Sequence, residues 1–410
     1  MNLSRKRRRK SWKFEESFVT DYPSPSIKTP LPSHLSPISV SVDLNALRHN
    51  YQAIRFQLLP STRILAIVKA DAYGHGAIPI ARTLQDLGVS EFGVASVQDG
   101  ATLREGGIQS PILVMGAIQP AHIKTLVHYR LIPVISHRPL LTELFAVLSQ
   151  HTAPYPVHLK VDTGLHRLGM DPEHILDILR VTSEPNCPVT ISGLMTHFAD
   201  ADNPDPTFTT LQLTKFRTLI DQIRATGSSI PPLHVANSAG ILFYKEAHFE
   251  MVRPGLMLYG YAPSHPGKDS PIRLQPVLTA TTYIAHMRRL QPGDIVGYNA
   301  LFRATRPSTI AVLPVGYTHG FPRKLTGKGH VLIQGEPAPI IGKICMDMMM
   351  VDVTEISDAA IGQEVRLLGT QGSRSLSAED YANWLETIPY EILCGIGGRA
   401  TKLYQALETE

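Results

Sequence analysis

A lysine at the end of an apolar run is the first residue in this chain whose placement suits covalent or acid–base chemistry. Lys69 follows the run at residues 64–68 and is itself followed by Tyr73, Gly74 and Gly76. An apolar run of this length, bounded by glycine, is typical of a buried strand. Burial disfavours the ammonium form and lowers the pKa of a lysine at the strand tip, so its amine becomes available as a nucleophile or base. A strand-end lysine can also extend its ammonium into water, and Lys69 alone favours that simpler interpretation.

The elements that must position this lysine form an alternating pattern. From about residue 40, short runs rich in Val, Ile and Leu alternate with segments of helical period, such as 78–87 and 208–225. The candidate strands are residues 64–68, 92–95, 112–115, 131–135, 157–161, 189–195, 233–236 and 249–252. This alternation predicts an α/β fold with a parallel (β/α)8 TIM-type barrel. A doubly wound open sheet is the competing interpretation, but no G-x-G-x-x-G fingerprint follows the first strand.

A different pattern begins near residue 276. Short alternating runs at 278–284, 309–313, 330–333 and 364–368 are separated by Pro-Gly, Gly-Glu and Gly-Lys turn signals. Such runs predict a β-rich C-terminal domain, in which a Ser377–Asp380 capping box begins one short helix. We therefore predict three parts, namely a disordered basic and Pro/Ser-rich extension at 1–38, a barrel at 39–275 and the β-rich domain at 276–410.

Composition and charge indicate the class of protein. The 410 residues are 43% hydrophobic and 18% charged, which is typical of a globular protein with a sizeable core. No apolar stretch reaches the roughly 18 residues of a membrane span, and no membrane association is expected. The three cysteines, Cys187, Cys345 and Cys394, are widely spaced and form neither a disulfide framework nor a metal pattern. We expect free thiols in a reducing compartment, which implies a cytoplasmic protein.

The basic charge of the chain belongs to its N-terminal extension. The net charge is +4, but residues 1–40 carry eight Lys or Arg against three Asp or Glu, a net +5, which leaves −1 for the other 370 residues. The predicted domains therefore carry no basic surface for nucleic acid. The extension also lacks the apolar core of a secretory signal. A solvated tail or a mis-assigned start is favoured over a tether to nucleic acid or an anionic membrane.

Further polar residues follow other predicted strands, at the carboxyl ends where barrel enzymes place their functional groups. Lys160 ends the fifth strand, and residues 162–169, 196–198, 237–240 and 253–256 follow strands five to eight. The last two of these segments carry a hydroxyl and small residues. They can supply the backbone N–H groups and the space that a phosphate group requires.

These strings together resemble those of the bacterial alanine racemases, which depend on pyridoxal phosphate. The resemblance covers the chain from about residue 39 to 399 in unbroken order. The matching strings are AIVKADAYGHG at 66–76, KVDTG at 160–164, THF at 196–198, NSA at 237–239, RPG at 253–255, GY at 297–298, PVGY at 314–317 and CMD at 345–347.

The resemblance implies a pair of acid–base residues. Lys69 would form the Schiff base with pyridoxal phosphate and then move a proton on one face of the substrate Cα. Tyr298 would act on the opposite face, assisted by a network through His197 and Arg253, because an unperturbed tyrosine has a pKa of about 10. Arg253 would face the ring nitrogen, and since a guanidinium can only donate, that nitrogen would stay unprotonated. This suits the return of a proton over decarboxylation.

The resemblance also implies binding roles for other residues. The phosphate candidates are Tyr73, Ser238, Gly255 and Leu256, with Tyr390 or a neighbour matching less well. Arg167 would contact the phenolic oxygen of the cofactor and the substrate carboxylate. Lys160 matches a lysine that is carbamylated in some members, where it orients this arginine. Met346 would present its backbone N–H to the substrate carboxylate, and Tyr317 would narrow the entrance.

A homodimer with shared active sites is implied as well, because in the family the tyrosine matching Tyr298 comes from the partner subunit. The expected activity is interconversion of L- and D-alanine, supplying D-alanine for peptidoglycan. The alternatives are a broad-specificity amino-acid racemase, a pyridoxal phosphate-dependent decarboxylase and a non-catalytic pyridoxal phosphate-binding protein. Arg253 argues against the decarboxylase, and residues 276–410 argue against the non-catalytic protein.

Two departures from the family pattern put particular contacts in doubt. The arginine matching Arg399 is usually followed by Val-Pro-Arg, whereas this chain continues with Ala-Thr-Lys and has Gly398 where some members carry an aromatic residue. The contact of that aromatic residue with the second-face tyrosine is therefore not carried over. Thr318 and His319 replace the more usual Ala-Asp after the tyrosine of the entrance, which alters its polarity.

Overall fold

The computed structural model describes residues 36–149, 153–263 and 272–405. The predicted extension at 1–38 lies almost entirely outside the described residues. The described chain begins with strand β1 (Ser39–Asp43), which leads directly into helix α1 (Leu44–Arg55). Asp43 caps this helix, because its Oδ1 accepts hydrogen bonds from the N–H groups of Asn45 at 2.8 Å and Ala46 at 3.0 Å.

A closed barrel of eight parallel strands follows within the described residues, as predicted. The strands are β2 (Arg63–Ile67), β3 (Glu91–Val94), β4 (Ile112–Val114), β5 (Ile132–Ile135), β6 (Tyr155–Lys160), β7 (Val189–Met195), β8 (Leu233–His234) and β9 (Met251–Val252). Most of their residues are buried, because one face fills the barrel and the other packs under helices. This explains why they read as continuous apolar runs in the sequence.

Helices connect the barrel strands and cover their outer face. They are α2 (Lys69–Tyr73), α3 (Ala77–Asp86), α4 (Val97–Glu105), α5 (Ile123–His128), α6 (Arg138–Leu148), α7 (Pro172–Thr182), α8 (Thr207–Ala225) and α9 (Ser238–Phe243). A 3₁₀ turn, Leu256–Tyr259, follows β9 and packs against α1. Asn50 of α1 fixes this contact by donating from Nδ2 to the carbonyl oxygens of Leu258 at 3.1 Å and Gln275 at 2.7 Å.

The C-terminal part is rich in β-structure, as predicted. Its strands are β10 (Leu278–Tyr283), β11 (His286–Leu290), β12 (Ile295–Val296), β13 (Phe302–Arg303), β14 (Ser308–Leu313), β15 (His330–Ile333), β16 (Glu336–Ile341), β17 (Met349–Asp352), β18 (Glu364–Gln371), β19 (Arg374–Leu376) and β20 (Thr401–Gln405). Two helices, α10 (Ala378–Leu385) and α11 (Pro389–Arg399), stand between β19 and β20. Further 3₁₀ turns lie at Tyr298–Ala300, Tyr317–His319 and Arg323–Leu325.

Strand β1 differs from the predicted domain boundary at residue 39. It belongs to the C-terminal sheet, where it pairs antiparallel with β10 and parallel with β20. The physical reason is its burial pattern, since Val40 and Val42 face the core while their neighbours are half-buried. One buried and one accessible face is typical of an antiparallel sheet rather than of a barrel interior. The first strand therefore connects the barrel to the C-terminal domain.

The predicted capping box of the C-terminal domain is present at the start of α10. Ser377 Oγ accepts from Asp380 N at 3.1 Å, and Asp380 Oδ2 accepts from Ser377 N at 2.7 Å. The second helix, α11, was not predicted, because its three glycines are poor helix formers. Among the described residues, no helix is long and apolar enough to cross a membrane.

Candidate active site

A cavity of about 370 Å³ opens at the carboxyl ends of the barrel strands, next to α11. Its lining is apolar on one side and carries a cluster of cationic and hydroxyl-bearing side chains on the other. The lining residues are Ile67, Lys69, Tyr73, Val94, Ala95, Met115, Gly116, Lys160, Arg167, Leu168, Met195, His197, Asn237, Ser238, Arg253, Gly255 and Tyr390. Nine of the predicted site residues, Tyr390 included, therefore line one cavity, although they come from the ends of five barrel strands and from α11.

Lys69 lies at the end of β2, as predicted, and begins an unusual turn. We call residues Lys69–Tyr73, which form α2, the lysine turn. Residues 70–73 all have φ between 53° and 55°, which is the left-handed conformation. This conformation costs roughly 1–2 kcal/mol for each residue other than glycine. Burial lowers the pKa of Lys69, and the positive charge of Arg167 lowers it further, so the amine is more readily neutral than in a free lysine.

Arg253 is fully buried at the end of β9 and is fixed by five hydrogen-bond acceptors. Its Nη1 donates to the carbonyl oxygen of His234 at 2.7 Å and to His234 Nδ1 at 3.1 Å. Its Nη2 donates to His197 Nδ1 at 3.0 Å and to the carbonyl oxygens of Thr196 and Val235 at 2.9 Å and 2.8 Å. No described residue accepts from its Nε–H, and Arg253 lines the cavity. This donor is therefore available to a ligand.

A column of neutral histidines supports Arg253 inside the barrel. Because a guanidinium only donates, Nδ1 of His234 must accept, and its Nε2 then carries the proton. This Nε2–H donates to His158 Nδ1 at 2.9 Å. Burial lowers the pKa of His158 to about 3 and that of His234 well below its usual value, and nearby positive charge acts in the same direction. Both rings are therefore neutral and each tautomer is set by its neighbour.

His197 has the same kind of constraint at the edge of the cavity. Its Nδ1 accepts from Arg253, so its proton resides on Nε2. Burial lowers the pKa of His197 well below the usual value, with Arg253 as the next contribution. The ring is therefore a neutral donor that offers one N–H away from Arg253.

Lys160 and Arg167 add further positive charge to the cavity. Lys160 ends β6 and is buried, and burial together with Arg253 and Arg167 lowers its pKa to about 8. Neither side chain has a carboxylate partner within salt-bridge distance among the described residues. The site thus concentrates cationic groups and is suited to an anionic ligand.

The opposite end of the cavity has the features of a phosphate cradle. Ser238 Oγ accepts from Gly255 N at 3.1 Å, which joins two of the predicted loops. A Cβ at Gly255 would lie 2.6 Å from Tyr73 Oη, so only glycine leaves room for this hydroxyl. Burial strongly raises the pKa of Tyr73, which keeps it a neutral donor. Tyr390 of α11 packs beside it, with ring centroids 5.6 Å apart, whereas the predicted Leu256 is buried behind Gly255 and does not line the cavity.

Three predicted residues of the C-terminal domain lie outside the cavity. The side chains of Tyr298, Met346 and Tyr317 are 67%, 53% and 38% exposed. They belong to neighbouring loops, because Tyr317 N donates to the carbonyl oxygen of Cys345 at 3.2 Å and Gly297 lies against the backbone of Lys343. Within a single described chain, Tyr298 and Lys69 therefore do not line the same cavity.

Sequence reasoning missed the histidine column. His158 stands two residues before Lys160 on the same strand, and alternate residues of a barrel strand face the same side. That spacing indicates that both side chains point into the barrel. Asn237 was noted only as part of a loop, but its Oδ1 accepts from Gly240 N at 2.9 Å and so begins α9 beside Ser238.

Comparison with known proteins agrees with this arrangement. The family profile described as "Alanine racemase, N-terminal domain" matches residues 42–263, and "Alanine racemase, C-terminal domain" matches residues 277–404. An alanine racemase of Halothermothrix orenii is 41% identical over 370 residues, which are 90% of this chain and 97% of the relative.

Solved structures give the same result. The alanine racemase of Bacillus anthracis with bound L-Ala-P has a TM-score of 0.86 and 28% identity, covering 93% of this chain and 97% of that chain. The enzyme of Bartonella henselae with covalently bound pyridoxal phosphate has a TM-score of 0.80 and 28% identity, and the match covers 90% of this chain and 99% of that chain. The decarboxylase and the non-catalytic protein are not favoured by these matches. The chain belongs to the alanine racemase family, whose members are pyridoxal phosphate-dependent isomerases that interconvert L- and D-alanine.

Proposed function

We propose that Lys69 and Tyr298 are the two acid–base residues of alanine racemisation and act on opposite faces of the substrate Cα. The observation that carries this proposal is the Lys69 amine in a cavity that holds no acidic side chain among its lining residues. A lowered pKa makes that amine suitable both for attachment of an aldehyde and for proton transfer.

The residues of the cavity fit pyridoxal phosphate. The Nε–H of Arg253 lacks a protein acceptor among the described residues and can donate to the ring nitrogen. Tyr73, Ser238 and the space at Gly255 suit the phosphate group. When bound, the cofactor supplies the electron sink that makes the Cα proton of the substrate labile. Arg253 limits this sink, because a donor at the ring nitrogen leaves that nitrogen unprotonated.

The other site residues orient the substrate. Arg167 lines the cavity and is exposed, so it can bind the substrate carboxylate, with the N–H of Met346 of the partner subunit as a second donor. We also infer that Lys160 is suited to carbamylation, because a pKa of about 8 leaves part of the amine neutral at neutral pH and carbon dioxide reacts with the neutral form. The resulting anion would balance the positive charge of Arg167. Carbon-13 NMR of protein exposed to labelled carbon dioxide detects such a group.

The second-face base reaches the cavity from a second copy of the chain in this proposal. Tyr298 is 67% exposed and does not line the cavity of its own chain. Its neighbours along the chain are apolar and exposed too, since Ile295 and Leu301 are 52% and 59% exposed. Such a patch is typical of a surface that another subunit covers. The free Nε2–H of His197 would then donate to the phenol oxygen of Tyr298 of the partner subunit and stabilise its ionised form.

Mixing two inactive variants tests this arrangement. Lys69→Ala and Tyr298→Phe are each expected to abolish racemisation. In a mixed dimer with shared sites, one site carries both substitutions and the other carries neither. Random exchange of subunits makes half of the dimers mixed, so we expect recovery of about a quarter of the wild-type activity. The measurement is D-alanine formed from L-alanine after the two proteins are mixed and incubated.

The control is a mixture of Lys69→Ala with the double variant, in which no intact site can form. If Tyr298 acts within its own chain, every site of the mixed dimer carries one substitution and no activity returns. Normal turnover by Tyr298→Phe alone would remove this residue from the reaction. The same assay with other L-amino acids distinguishes an alanine racemase from a broad-specificity enzyme.

We further propose that the enzyme works in the cytoplasm and supplies D-alanine for peptidoglycan. The three cysteines are free thiols, which is compatible with a reducing compartment. A strain that lacks this gene is then expected to need D-alanine for growth. Growth without D-alanine, in a strain with no other racemase activity in its extract, would contradict this role.

A further inference from the structure

The lysine turn is strained and must be held by its surroundings. Ala70, Asp71, Ala72 and Tyr73 all have φ near 54°, and none of them is glycine. Side chains other than glycine rarely adopt this conformation, and runs of it are rarer still. Such a conformation persists only where other contacts determine it. Contacts to the turn therefore bear on the position of Lys69.

One set of contacts holds the turn from inside the protein. His75 is fully buried, and its Nδ1 lies 2.9 Å from the carbonyl oxygen of Ala72 and 3.0 Å from that of Tyr73. Its ring packs against Tyr259, with centroids 4.6 Å apart. Because burial keeps the ring neutral, Nδ1 carries the single proton and donates to the turn.

A second set comes from the C-terminal elements of the same chain. Asp71 Oδ1 accepts from Ala77 N at 2.7 Å, and its Oδ2 pairs with Lys402 Nζ at 3.0 Å. Lys402 belongs to β20, and its side chain is 15% exposed whereas that of Asp71 is 50% exposed, so water screens this pair only partly. The backbone also approaches closely, since a Cβ at Gly74 would lie 2.6 Å from the carbonyl oxygen of Leu393.

We propose that Lys402 is a positioning residue for Lys69. By pairing with Asp71 it holds the left-handed turn, and the turn directs the Lys69 amine into the cavity. Lys402 itself does not line the cavity. This inference rests on the proposed function of Lys69. Lys402 is also part of the Ala-Thr-Lys segment that departs from the family pattern, in which an arginine is usual at this position.

The test compares four single variants and one double variant, all as holoenzymes, with the wild type. Lys402→Met removes the charge and keeps the aliphatic chain, whereas Lys402→Arg keeps the charge. Asp71→Asn removes the other charge and keeps the acceptor for Ala77. Lys215→Met, at an exposed lysine of α8, is the matched control. Hydrogen exchange of peptides covering residues 66–77 and the rate of pyridoxal phosphate loss by visible absorbance are measured for each.

Loss of the pair is expected to speed both processes by about threefold to fivefold, in Lys402→Met and Asp71→Asn alike. Lys402→Arg and Lys215→Met are expected to behave as the wild type. The double variant, Lys402→Met with Asp71→Asn, is expected to exchange and to lose cofactor no faster than either single variant. The proposal is overturned if residues 66–77 of Lys402→Met exchange at the wild-type rate. It is also overturned if exchange in this variant becomes faster evenly over the whole chain. If wild-type absorbance does not depend on Lys69, the proposed function fails, while local exchange still reports on the pair.

Discussion

Acid is expected to destabilise this protein at an unusually high pH because several buried histidines must stay neutral, and three of them are almost fully enclosed. His75, His158 and His234 are each at most 2% exposed. Burial lowers the pKa of His75 to about 4 and that of His158 to about 3, and it lowers that of His234 well below the usual value. His75 Nε2 has no described partner, so a proton there would be buried and unpaired.

The sign of the effect follows from proton uptake on unfolding. In the unfolded chain these histidines have a pKa of about 6.5, so below that value the unfolded state binds protons that the folded state does not. Stability is therefore fully present above about pH 6.5 and is lost as the pH falls toward the folded-state values. At pH 5.5 each histidine lowers the free energy of unfolding by about 1.4 kcal/mol. The three together lower it by about 4 kcal/mol, which is a large share of the typical total.

Urea unfolding at pH 7.5 and pH 5.5 measures this loss of unfolding free energy. Substitution of one histidine shows how much of the loss that histidine causes. Burial raises the pKa values of Glu91 and Glu379, so these groups stabilise the fold as the pH falls and oppose the effect of the histidines. The comparison must therefore isolate one histidine. His158→Gln keeps an acceptor for His234 and should lose about 1.4 kcal/mol less than the wild type between the two pH values. His128→Gln, at an exposed site on α5, is the control. Equal losses in His158→Gln and the wild type would refute the reasoning.

One further substitution tests the phosphate end of the cavity, and one truncation tests the N-terminal extension. Gly255→Ala should weaken cofactor binding by about 1–3 kcal/mol, because the new Cβ would meet Tyr73 Oη at 2.6 Å, and absorbance titration with pyridoxal phosphate measures this. Unchanged binding would show that this hydroxyl does not contribute to the cradle. Removal of residues 1–35 should leave turnover unchanged, because β1 begins at Ser39, and a large loss of racemisation would give the extension a role.

The barrel was predictable because its strands are buried on both faces. Continuous apolar runs separated by turn signals reveal such strands directly, and the observed bounds differ from the predicted ones by only a few residues. Strands β6, β8 and β9 each have one bound that differs by two residues, and β8, predicted at 233–236, is found at Leu233–His234. The carbonyl oxygen of Val235 accepts from the Arg253 side chain instead of a neighbouring strand. This side chain follows the neighbouring strand β9, so no pattern within residues 233–236 reveals the contact.

The lysine turn was not predictable from local propensity. Ala70, Asp71 and Ala72 favour right-handed helix or turn conformations, and nothing in their order indicates a left-handed run. The conformation depends on His75 within the barrel and on Lys402 more than 300 residues further along the chain. The family resemblance identified Lys69, but the contacts that hold it could be found only from the structure.

The site also explains why the two domains of this chain are not independent units. Strand β1 pairs with both β10 and β20, so the N-terminal segment of the barrel is part of the C-terminal sheet. Helix α11 places Tyr390 beside Tyr73, and β20 places Lys402 beside Asp71. The C-terminal domain therefore packs against the lysine turn of its own chain, while it leaves Tyr298 exposed outside the cavity of that chain. A barrel without this domain would lack the contacts of Tyr390 and Lys402 as well as Tyr298, so under the proposed mechanism the catalytic unit includes both domains.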